Sequence, residues 1–239
     1  MDDIRIIDGQ KYVMTFEDCF EGSKPDPAKW VLCPEQRRQD LGGYWNDGMT
    51  EVRDGNLILW AKIDENGIPI SGAVRTLGLF EQAYGYFECR MKMHRTTGFW
   101  GAFWMMCGDV SKVDGSAVSG VEIDIIESGE RARNGVNHAL HWDGYGEHHK
   151  SVTKIITDET QYDGQWHTYA LRWTKSEYIF YIDGRETWRT SEPGICSRAG
   201  YLKLSVEFGT WASPIVPEEL PDCIRVDWVR VYREETAGS

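Results

Sequence analysis

Positive charge is scarce in this chain. Lys and Arg total 26 against 38 Asp and Glu, a formal net charge of −12 over 239 residues. Such a surface repels phosphate backbones and anionic headgroups, so neither nucleic acid nor an acidic membrane is expected as a partner. Heavily sulfated polymers are disfavoured for the same reason, with Arg37-Arg38 as a local counterweight. Long apolar runs are missing too: none approaches the ~20 residues of a membrane span. No CxxC pair or His/Cys spacing suggests a zinc centre. The six cysteines (Cys19, Cys33, Cys89, Cys107, Cys196, Cys223) would allow disulfides, but a chain of this size does not need them, and free thiols are expected. No segment carries a helical stripe, and there is no linker, internal repeat or low-complexity tract.

Aromatic residues are abundant, with 11 Trp and 11 Tyr. Most belong in a core by default. A second use is stacking against the apolar C–H faces of sugar rings. Short β-patterned segments separated by turn signals run the length of the chain. They include Asn56–Trp60, Tyr84–Met93, Tyr169–Trp173 and Tyr178–Ile182, the last followed by the hairpin signal Asp183-Gly184. Leu202–Phe208 and Ile224–Tyr232 read as a further strand pair. The pattern predicts one domain over 1–239, an all-β sandwich of two antiparallel sheets.

The segment Gly120-Val-Glu-Ile-Asp-Ile-Ile-Glu-Ser128 holds three carboxylates within six residues, separated by Val and Ile. On a strand, Glu122 and Asp124 share a face and Glu127 falls on the other. A β-bulge at Ile125-Ile126 would return Glu127 to their side. Two carboxylates flanking one bond are the minimum equipment for glycosidic cleavage. The competing reading is an acidic, solvated strand edge. Against it stand the mutual repulsion of carboxylates on one strand face and the preceding aromatic run, Gly98-Phe-Trp-Gly-Ala-Phe-Trp-Met-Met106.

Glu122-x-Asp124-x-x-Glu127 resembles the active-site signature of glycoside hydrolase family 16 in its bulged, laminarinase-like form. The order of the other segments agrees. They are Phe16-Glu-Asp-Cys-Phe20 with Trp30, Asp54–Leu59, Ser71–Thr76, Tyr84–Arg90, Gly98–Trp104, Trp166–Tyr169, Tyr181–Gly184 and Val226–Tyr232. The resemblance implies a β-jelly-roll sandwich with a concave cleft and endo-cleavage of a β-linked polysaccharide with retention. It makes Glu122 the nucleophile, Glu127 the general acid/base and Asp124 the orienting carboxylate. It places Trp100 and Trp104 beside the sugar at the cleaved bond, and Trp45 and Asn46 in an early loop at one end of the cleft. Arg75 would bind substrate hydroxyls, His141 would contact the acid/base region, and Trp142 and Tyr145 would shape the cleft. Trp211 would be a stacking platform. Glu207 stands where the family usually carries an amide. No cofactor is implied for catalysis. A structural Ca²⁺ is implied on the convex side, held by the Asp227 side chain with backbone carbonyls near Glu17 and Gly55.

Several of these residues have plainer readings: core packing for Trp100 and Trp104, a surface charge for Arg75, an ordinary structural histidine for His141, a solvated pair for His148-His149, an outward polar residue for Asp227. The expected substrate is a neutral β-1,3- or mixed β-1,3/1,4-glucan. A β-galactan of agar type, a xyloglucan, or a non-catalytic sugar-binding module are the alternatives; the retained carboxylates argue against the last. The chain is expected to act as a monomer. It opens Met1-Asp-Asp, with no secretory leader in view. A polymer-degrading protein would be extracellular or at the cell surface, with any leader already removed; a cytoplasmic location is the other possibility.

Overall fold

The computed structural model describes residues 4–33, 43–130 and 133–235, and the Arg37-Arg38 counterweight lies outside them. The described residues form two sheets, one of eleven strands and one of seven. Among the described residues all strand pairs are antiparallel except the short Tyr44–Trp45 strand beside Pro69–Ser71. The seven-stranded sheet runs Lys150–Thr157, Gly135–Trp142, Gly120–Glu127, Phe99–Gly108, Gly200–Phe208, Ala73–Arg75 and Val31–Leu32. The larger sheet packs behind it and contains Asn56–Ile63, Gly85–Lys92, His167–Trp173, Tyr178–Ile182 and the long closing strand Asp222–Glu234.

Alternation drives the assembly. In Gly120–Glu127, Val121, Ile123, Ile125 and Ile126 are fully buried between the sheets. Opposite them lie side chains such as Phe87, Leu171 and Val229. Burial of such groups contributes about 1.5–3 kcal/mol per side chain. Asp183 (φ 50°) and Gly184 (φ 73°) make the tight turn after Tyr178–Ile182 with both residues in the left-handed region, as a two-residue hairpin requires.

One expected strand pairing fails. Leu202–Phe208 and Ile224–Tyr232 are not partners. The first belongs to the seven-stranded sheet beside Phe99–Gly108, the second to the other sheet between Gly85–Lys92 and Asn56–Ile63. Adjacency in sequence is a poor guide here because the chain crosses between layers. All six cysteines are free, four of them buried. Among the described residues no helix is long and apolar enough to cross a membrane.

Of the residues expected to hold calcium, the one side-chain ligand is already paired. The Asp227 carboxylate is hydrogen-bonded and ion-paired to the Arg90 guanidinium. A guanidinium on the key carboxylate supplies the charge that a dication would otherwise bring.

Candidate active site

The bulge lies at Ile125. Along the neighbouring Phe99–Gly108 strand, Trp104 opposes Asp124 and the next residue, Phe103, opposes Ile126. On the other side Asp124 opposes Ala139, and Glu127 opposes Asn137. Ile125 is the extra residue, paired in neither register. Its carbonyl accepts a hydrogen bond from His138 Nδ1–H at 2.6 Å, and His138 Nε2 meets Thr187 Oγ1 at 2.8 Å. Burial drives the His138 imidazole down to a pKa of about 4, so it acts as a neutral donor. Neither the bulge's carbonyl partner nor the neutral histidine was anticipated from sequence.

The bulge puts Glu122, Asp124 and Glu127 on the concave face, lining a cleft of about 1110 Å³. Their register partners line it too: Met106, Trp104 and Ala102 on one side, His141, Ala139 and Asn137 on the other. Tyr145 donates its phenolic O–H to Glu122. Asn137 Nδ2 donates to Glu127 Oε2 at 2.9 Å. His141 Nε2 lies 3.3 Å from Asp124 Oδ2. His141 also stacks on His149, with its Nδ1 2.9 Å from His149 Nε2. His149, although exposed, therefore lines the cleft.

Electrostatics separate the carboxyls. Burial raises the Glu122 pKa, and the Tyr145 hydrogen bond and the positive charge of Lys203 oppose that rise. Glu127 is pushed well above the ordinary glutamate range, by burial first and then by the negative charge of Asp124. Asp124 is raised by burial and by Glu122. Three carboxyls this close titrate as a set, and the set favours retaining at least one proton.

Most of the other expected residues converge on the same cleft. Trp45, Arg75, Trp100, Trp104, Glu207 and Trp211 line it. Trp100 and Trp211 meet edge to face at 5.2 Å, and Trp211 Nε1 reaches buried Glu130 Oε1 at 3.3 Å. Trp104 Nε1 donates to Ser205 Oγ at 3.0 Å. Trp211 lies against Gly129, where an added Cβ would come 2.3 Å from the indole, so only glycine leaves the ring its place.

Two expected residues lie elsewhere. Trp142 is 7% exposed and belongs to the core between the sheets, because it alternates with cleft-facing His141. Asn46 caps a short 3₁₀ turn, accepting from Gly48 N–H at 2.9 Å, and is not among the cleft-lining residues. Sequence reading also missed Asn137, Glu130 and Lys203. Lys203 shares with Ser205 and Glu207 the cleft face of a strand whose Leu202, Leu204 and Val206 are buried, so alternation could have flagged it.

A β-sandwich that presents three carboxylates from one bulged strand to an aromatic-walled groove defines a carbohydrate-active protein of the sandwich class. More narrowly, the chain belongs to the Glycosyl hydrolases family 16, whose profile matches residues 38–229. It is 29% identical over 191 residues to the endo-1,3-1,4-beta-glycanase EglC of Rhizobium meliloti (strain 1021), covering 76% of this chain and 39% of that protein. The chain thus spans about two-fifths of the length of that relative. Among solved structures it resembles the endo-beta-1,3-glucanase of Pyrococcus furiosus, with TM-score 0.81, 21% identity and coverage of 99% and 100% of the two chains. It also resembles SCLam, a non-specific endo-beta-1,3(4)-glucanase from family GH16, with TM-score 0.78, 25% identity and coverage of 98% and 95%. The jelly-roll sandwich expected from the resemblance is the fold they share.

Proposed function

We propose that this protein is an endo-acting, retaining glycoside hydrolase that cleaves β-1,3- or mixed β-1,3/1,4-glucan, working as a monomeric catalytic domain outside the cell. The observation that carries this reading is the Ile125 bulge, which brings Glu122, Asp124 and Glu127 to one cleft. Family membership and the glucanases among its relatives support the substrate class.

In this reading Glu122 attacks the anomeric carbon as a carboxylate, helped by the Tyr145 hydrogen bond that favours its charged form. Glu127 begins protonated, gives its proton to the leaving glycosidic oxygen, then takes one from the water that hydrolyses the glycosyl-enzyme. Asp124 lies between them in sequence and lifts the proton affinity of Glu127. Asn137 orients the Glu127 carboxyl. Trp100, Trp104 and Trp211 offer faces and edges for sugar rings. No step calls for a cofactor.

Replacing Glu122 or Glu127 by Gln should cost several orders of magnitude in turnover while the protein stays folded. Azide should rescue Glu122→Ala with an α-glycosyl azide product and Glu127→Ala with a β product, read by NMR of the anomeric proton. The opposite pattern would exchange the two roles, and full activity in either Gln variant would end the assignment. A reducing-end assay on laminarin, lichenan, barley glucan, agarose and xyloglucan identifies the polymer.

A further inference from the structure

Hydrolysis of an uncharged glucan does not by itself call for two facing cations in the cleft. Arg75 and Lys203 are direct register partners on adjacent antiparallel strands, and both line the cleft. Like charges facing each other across a strand pair repel. Lys203 is only 6% exposed, and burying an ammonium costs free energy unless something compensates it. Its Nζ stands 3.6 Å from the Trp104 ring centre and 4.6 Å from that of Trp45. Those rings soften the charge but accept none of its three N–H donors in a conventional hydrogen bond. Arg75 Nε is buried without a hydrogen-bond partner. Neither cation is ion-paired among the described residues.

Glu207 and Glu122 act on Lys203 electrostatically, but neither is ion-paired to it among the described residues. Glu207, four positions along the same strand, is reached by Ser205 Oγ at 3.3 Å, and Glu122 takes the Tyr145 hydroxyl. Asp124, Trp104, Lys203 and Arg75 form one row across four adjacent strands. At the usual interstrand spacing the two cations lie roughly 10 and 14 Å from the Asp124 position. Their strands are therefore set to one side of the bond-breaking centre, where a neighbouring sugar would lie, although the Lys203 charge still reaches Glu122.

We propose that Arg75 and Lys203 form a subsite for an anionic substituent, a sulfate ester or a carboxylate, carried by the polysaccharide that occupies this cleft. The guanidinium offers a fork matched to two oxygens and the ammonium a point charge. The net charge of −12 on the whole chain would repel a densely charged polymer, so the subsite suits a sparsely substituted one. The inference rests on the proposed function in one respect, that a sugar polymer occupies the cleft.

The test compares kcat/KM on laminarin with the same polymer lightly sulfated or lightly carboxymethylated, for wild type, Lys203→Met and Lys203→Arg, with melting curves as a check on folding. The wild type should favour at least one substituted polymer by about tenfold, and which one identifies the anion. Lys203→Met should bring that ratio to near one, Lys203→Arg should keep most of it, and added salt should reduce it. A wild-type ratio near one, or equal losses on neutral and substituted polymer in Lys203→Met, would overturn the proposal and make Lys203 a counter-charge for Glu122. If the wild type cuts none of the three polymers, the proposed function fails. Calorimetric binding of a sulfated against a neutral laminari-oligosaccharide then decides the subsite by itself: tighter sulfated binding, lost in Lys203→Met, supports it, and equal binding overturns it.

Discussion

Glu127 shows how a functional residue can work against the fold that holds it. Its carboxyl has a raised proton affinity because burial and the Asp124 charge disfavour its ionised form. A group raised in this way gives its full support to the fold below the ordinary glutamate range and loses it as pH rises through the raised value. Glu127→Gln should therefore stabilise the protein at neutral pH, by on the order of 1 kcal/mol or roughly 2–4 °C in Tm for a chain of this size. The gain should vanish near pH 4, and a melting series from pH 4 to 8 checks both ends. The same residue scale explains the misplaced side chains. Trp142 follows His141, and a strand that turns one into the cleft must turn the other into the core. Asn46 is a good turn-capping residue, and its Oδ1 caps a turn.

At the scale of the element, the bulged strand depends on its neighbour. The Ile125 carbonyl has no ladder partner, and His138 supplies one from the adjacent strand. His138→Ala should leave that carbonyl unsatisfied and let Glu127 drift, lowering kcat by up to about 100-fold with little change in KM. His138→Asn, which restores a donor, should recover part of the loss. The imidazole is neutral in the fold with a pKa of about 4, against an ordinary 6.5. Its contribution to stability is full above 6.5 and is lost as pH falls from there through about 4. The acid limb of the stability curve should therefore flatten in His138→Ala, as urea midpoints between pH 4 and 7 would show. On the convex sheet the Arg90–Asp227 pair stands where a calcium ligand was expected, so a chelator should leave the melting temperature unchanged.

The whole molecule sets the mode of action. A cleft of about 1110 Å³ walled by Trp45 and Trp100 along with Trp211 has room for several sugar units. It exceeds the roughly 300–1,000 Å³ typical of small-ligand pockets. Mid-chain cleavage should then lower the viscosity of a lichenan solution well before reducing ends accumulate. A parallel course of the two would point to attack from chain ends.

Much of this was legible in one dimension. Period-two alternation with β-branched residues determines the strands and the sandwich. The three acids, with an odd spacing between Asp124 and Glu127, imply a bulge, because only an extra residue returns both glutamates to one face. Pairing across layers was not legible. Which strand lies beside which follows from loop closure and packing between sheets, so the separation of Leu202–Phe208 from Ile224–Tyr232 had to be seen. The same holds for His138 beneath the bulge, for His149 over His141, for Arg90 on Asp227 and for Lys203 facing Arg75. Alternation along a strand assigns a residue to a face, but its partners come from other strands, and only the folded chain brings those within a few ångströms.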